Sequence, residues 1–236
     1  MPLTSIVELL PLALTKDLLL SLEDGLKGEA LKARDVVRNH SGLKDWRRAR
    51  SAEGQLRFRM MEERFEEICQ HHGGKLLDGG VIPTTGLKVF QPFCRFEVDG
   101  RGIIFGLAAM PEPKTLPSKN KSRLAGVSIN CHLTPGLFDK DGPKMGDVFV
   151  LLLVCRDRER AGMIEEMAIG IVDSKYESFL FYEPLGRFLR GHGEAPAAPP
   201  PPPSPPTSPV LLKKGITPFV PPEAVPTEEE KNTGTK

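Results

Sequence analysis

The stretch VFVLLLVC, residues 148–155, decides the fold. A run of this length falls far short of the roughly 20 apolar residues a membrane span needs. It matches a strand instead. A strand apolar on both faces belongs in the middle of a sheet that is covered on both sides. Anywhere else, half of its large side chains would face water, at roughly 1.5–3 kcal/mol each.

Downstream, the charged segment 156–162 reads as a turn, and residues 163–172 return as a partner strand. Residues 179–182 add a short strand, Glu183-Pro184 ends it, and 185–190 form a last helical turn. Upstream, Cys94, Phe96 and Val98 alternate with Arg95 and Glu97. Asp99-Gly100 is a two-residue hairpin signal, and 101–107 is the return strand. Between these pairs, Val127, Ile129, Cys131 and Leu133 alternate with Ser128, Asn130 and His132, the pattern of a half-buried strand with one wet face.

The first seventy or so residues have helical spacing instead. Leu18, Leu19, Leu22 and Leu26 form one apolar stripe, capped by Thr15 or Asp17 and ended by Gly25 and Gly28. A short helix over 30–38 stops at Asn39, His40, Ser41 and Gly42. A longer one over 51–72 puts Leu56, Met60, Phe65, Ile68, Cys69 and His72 on one face, with Gly73-Gly74 as its stop. The expected fold is therefore α+β: N-terminal helices (about 1–74) packed on a largely antiparallel β-meander sheet (about 75–190). The two parts make a single domain over 1–193. Residues 194–236 form a proline-rich tail, expected to be disordered, with a basic-hydrophobic island at 210–220.

The formal net charge of +1 excludes polyanion binding by bulk charge, so any electrostatic contact must be local. Glu8 and Pro11 interrupt the first apolar run and no basic segment precedes it, which argues against a signal peptide. Cys69, Cys94, Cys131 and Cys155 are widely spaced, with no CxxC pair. They read as reduced and mostly buried. The expectation is a soluble cytoplasmic protein without a membrane segment.

Two sets of residues are candidates for function. Lys44, Arg47, Arg48 and Arg50 surround Trp46; Arg34 and Arg38 precede them, and Arg57 and Arg59 follow. Basic side chains on a helix neutralise phosphates, and a tryptophan stacks on an unpaired base. The plainer reading, a solvated helix face whose lone tryptophan fills the core, is favoured. The second set is Asp147, Asp173 and Lys175. With the hairpin centred near Arg160, Asp147 lies opposite Asp173. Paired carboxylates hold Mg²⁺, and a nearby lysine stabilises charge on a phosphate under attack.

This layout resembles the active-site hairpin of the PD-(D/E)xK nuclease superfamily over about thirty residues. The resemblance implies metal ligation by Asp147 and Asp173, with Glu62 or Glu66 assisting from a helix. The chain departs from the pattern at Met145-Gly146, at the long connection 156–162 and at Ser174. The same residues also read as a plain hairpin loop over 173–178, and that reading is the stronger. Cys69, His71, His72, Cys131 and His132 lack the spacing of a zinc site.

No phosphate loop or nucleophile motif appears. The leading expectation is a non-enzymatic binding or regulatory protein. It would contact a protein partner or nucleic acid through the folded domain, and its proline-rich tail would offer a ligand to an aromatic groove. The alternative is an Mg²⁺-dependent nuclease; no other cofactor is expected.

Overall fold

A computed structural model describes residues 3–77, 91–133 and 147–191. Residues 148–156 form the strand expected from the sequence, and every residue of Val148–Arg156 except the last is buried. In chain order the elements are helices α1 (Leu3–Val7), α2 (Leu10–Ala13), α3 (Lys16–His40) and α4 (Trp46–His71), then strands β1 (Lys75–Leu76), β2 (Phe93–Val98) and β3 (Arg101–Met110). Helix α5 (Lys121–Ser128) and a 3-10 turn (Ile129–Leu133) follow. The chain continues with β4 (Val148–Arg156), β5 (Ile164–Val172), β6 (Phe179–Pro184) and helix α6 (Leu185–Gly191). The six strands among the described residues lie side by side in sequence order. All neighbours are antiparallel except β3 and β4. The fold is α+β with a largely antiparallel sheet, as the sequence predicts.

Strand β4 separates two apolar layers. On one side Val150 and Leu152 meet Leu18, Leu22 and Leu26 of α3 and Phe65 and Ile68 of α4. On the other, Phe149, Leu151 and Leu153 meet Ala125 and Val127 of α5, together with Ile104 and Ala168. The Asp99-Gly100 turn closes between paired Val98 and Arg101, and both turn residues have positive φ, 51° and 73°. That is the geometry of a tight hairpin turn.

Three expectations fail. The first is the stop at Gly25 and Gly28. Helix α3 runs through both, from its Thr15 cap, whose Oγ1 accepts from Leu18 N at 3.3 Å, to His40. Gly25 serves packing instead: a Cβ there would stand 2.7 Å from Ile68 of α4, so the bare backbone lets the two helices approach. The second is the start of α4, which lies at Trp46 because Asp45 caps it, its Oδ1 accepting from Arg48 N at 2.9 Å.

The third is the strand over 127–133, which is instead the end of α5 and a 3-10 turn. β3 and β4 are parallel, so the chain must cross between them, and this segment lies on the crossover. Asn130, assigned to a wet face, is fully buried. Its side chain donates to Phe149 O and Val172 O, both at 3.0 Å, and accepts from Phe149 N at 2.9 Å. It thereby ties the crossover to the sheet.

The described residues fall in one compact unit. The expected disordered tail, its island at 210–220 and the loop 134–146 lie outside the described residues. Among the described residues, no helix is long and apolar enough to cross a membrane. All four cysteines are free; Cys69, Cys94 and Cys155 are buried and Cys131 is exposed.

Candidate nucleic-acid interface

Helices α3 and α4 are consecutive and joined by a short link, 41–45. The last buried residue of α3 is Val37, and the first fully buried residue of α4 is Met61. The N-terminal half of α4 therefore has one face half-buried and the rest in solvent. Trp46, expected in the core, opens that half and is 65% exposed. The Arg47 guanidinium lies 5.5 Å from the centre of its ring, a cation–π distance.

Lys44, Arg47, Arg48 and Arg50 are all exposed. Among the described residues, none of the four has a carboxylate within ion-pair distance. From Lys44 to Met60 there are six basic side chains and two acidic ones.

The half-buried face of this segment lines a groove of about 1170 Å³. Its opposite wall comes from the ends of β3 and β4, the loop after β3 and the start of β5: Met110, Pro111, Leu116, Val154, Arg156, Arg158 and Ile164. Leu56, Phe58 and Met61 make the α4 side apolar, while Arg50, Arg57 and Arg59 make it basic. Arg50 and Arg57 are two helical turns apart, about 10.5 Å along the axis, and share a face.

Arg57 is the most enclosed of these cations, with its side chain 14% exposed. Its only ion-pair partner among the described residues is Glu53, at 4.0 Å, the outer limit for such a contact. Burial lowers its pKa from the ordinary value; Glu53 opposes that shift, and the Arg156 guanidinium adds to it. Arg156 itself has no carboxylate within ion-pair distance among the described residues. Two of the other groove arginines are tied, Arg59 to Glu62 at 2.8 Å and Arg158 to Glu112 at 2.6 Å, whereas Arg50 is not.

The second candidate set is dispersed into separate roles. Asp147 pairs with Arg95 of β2, whose Nε and Nη2 donate to the two carboxylate oxygens at 2.8 and 3.1 Å. This contact, with a second from Glu97, raises the Arg95 pKa. Gly102 leaves room for the pair, because a Cβ there would collide with the Asp147 carboxylate.

Asp173 is buried at the start of the β5–β6 loop. Its carboxylate accepts from Lys175 N at 2.8 Å, from Glu177 N at 2.9 Å, from Ser178 N, and from Ser178 Oγ at 3.2 Å. Lys175 points into solvent. The β4–β5 ladder ends at Leu151 and Gly170, so both carboxylates lie beyond the paired residues. Glu62 binds Arg59 and Gln91. Both oxygens of each aspartate are thus engaged by protein donors, and 173–178 is the hairpin loop that the plainer reading expects.

No protein-family model, curated protein or solved structure matches the chain. The site therefore rests on its own geometry. Arg156 and Arg158 were missed in the sequence because the alternating charges of 156–160 look like an ordinary polar turn. The available signal was an arginine directly ending an apolar strand. Arg57 gave a signal, as part of the basic stretch, but nothing in the chain pointed to its sharing a groove with Arg156.

Proposed function

We propose that this chain is a non-enzymatic binding protein that takes single-stranded nucleic acid along the N-terminal half of α4. One observation carries the reading: Trp46 is 65% exposed at the head of a helix whose neighbouring cations lack carboxylate partners among the described residues. A tryptophan left in water at this position has no packing role. An indole face beside free arginines suits an unpaired base and its phosphates. A duplex would bury the base faces that Trp46 can stack on.

The test is a salt series with a labelled single strand, read by fluorescence anisotropy. The logarithm of the association constant should fall with the logarithm of salt, by about 0.7 per phosphate contacted. Changing Arg47 and Arg48 together to alanine should flatten the slope by about 1.4. A flat response in the parent, or an unchanged slope in the double variant, removes nucleic acid as the ligand.

A protein partner is the second reading. Val36 (43%) and Leu43 (42%) are exposed near the same helix ends and suit an apolar contact. The proline-rich segment 199–206 has the composition of a ligand for an aromatic groove in such a partner. The reading places the protein in the cytoplasm, supported by four unpaired cysteines.

A further inference from the structure

We infer that Arg57 and Arg156 form a pocket for a phosphate monoester, and that the groove takes the phosphorylated end of a nucleic-acid strand. The inference rests on the single-strand reading for the identity of its ligand. The pocket itself rests on the groove alone.

Two guanidiniums that line one half-enclosed groove repel, and burial strengthens the repulsion. Such a pair needs an anion. Among the described residues, the only carboxylate within ion-pair distance of either is Glu53, at 4.0 Å from Arg57. A backbone phosphodiester carries one negative charge, whereas a terminal monoester carries about 1.5–2 near neutral pH. Two cations therefore match the terminal group better.

The planar fork of arginine also fits phosphate oxygens in pairs. The surroundings suit the rest of a nucleotide. Leu56 and Phe58 flank Arg57 with half-buried apolar surface, and Met110 and Val154 line the same groove. Ser51, Gln55 and Ser118 add polar side chains to the lining. Arg50, on the same helix face as Arg57, continues the basic track towards Trp46.

The experiment uses the full chain and isothermal titration calorimetry. The ligands are oligonucleotides of one sequence with a 5′-phosphate, a 3′-phosphate or hydroxyls at both ends, together with adenosine monophosphate. One phosphorylated end should bind about ten- to a hundredfold tighter than the hydroxyl strand, the worth of one or two charged hydrogen bonds. Arg156→Gln should abolish that gain and Arg156→Lys should keep part of it. Arg47→Ala should weaken all three strands alike. Arg156 is partly exposed at a strand end, so its variants should fold.

Equal binding of all three strands overturns the pocket and leaves the single-strand reading intact. If no strand binds, but adenosine monophosphate does and Arg156→Gln loses it, the pocket stands and the strand reading falls. If nothing binds, both fall.

Discussion

Replacing Asp173 with asparagine removes one charge and almost no volume, which makes it a sharp test of how the β5–β6 hairpin is held. The loop is demanding: Tyr176 adopts φ of 60°, a left-handed conformation that costs a residue with a side chain of order 1–3 kcal/mol. One Asp173 oxygen accepts from Lys175 N, and the other from Glu177 N, Ser178 N and Ser178 Oγ. An asparagine turned to keep its oxygen towards the larger group presents an NH₂ to Lys175 N–H. One charge-assisted bond, worth roughly 1.5–3 kcal/mol, is then lost and the others become neutral ones. The expected loss is about 2–4 kcal/mol at pH 7.

The pH dependence is equally specific. Burial pushes the Asp173 carboxyl up, but the N–H groups of Ser178, Glu177 and Lys175 and the Ser178 hydroxyl together hold it below the usual carboxylate range. A depressed folded pKa means that the stabilisation is complete above the unfolded value of about 3.9. It is lost as pH falls through the lower folded value. Urea denaturation should show a constant gap between parent and Asp173→Asn from pH 8 to 5, closing below pH 4. Added Mg²⁺ should leave the parent's midpoint unmoved, because both oxygens are already engaged. Equal stability at pH 7, or a gap that persists unchanged at pH 2.5, refutes the loop-cap account.

The remaining predictions are shorter. Leu152→Asp should abolish cooperative melting. Leu152 is fully buried between its ladder partners Leu107 and Ile169, and an unpartnered carboxylate there costs several kcal/mol of a typical 5–15. Asn130→Ala should destabilise by about 3–5 kcal/mol, since it strands Phe149 N, Phe149 O and Val172 O in the interior; a denaturation midpoint close to the parent's would show that the crossover is held otherwise. Trp46→Ala should leave the melting temperature within a degree or two and weaken single-strand affinity by about 1–3 kcal/mol. A large drop in melting temperature would mean that Trp46 packs after all.

The features legible in the sequence were those set by neighbours along the chain. The period-2 pattern of 94–98 and the Asp99-Gly100 dipeptide specify a hairpin because side-chain direction and turn φ are local properties. The eight-residue apolar run of 148–155 requires a doubly covered strand whatever covers it, because either exposed face would be costly.

Other features had two local solutions, and only packing chose between them. Residues 127–133 alternate like a strand, but Asn130 gains three buried hydrogen bonds only when the segment coils across the sheet. Gly25 is a helix stop by propensity, yet here it is the point where α4 presses on α3. Trp46 is apolar and would ordinarily be buried, but it stays outside because the core ends one helical half away, at Met61. The groove is the extreme case. Arg57 and Arg156 lie far apart in sequence and line one groove only because the fold brings α4 and the end of β4 to it, so their juxtaposition belongs to the tertiary structure alone.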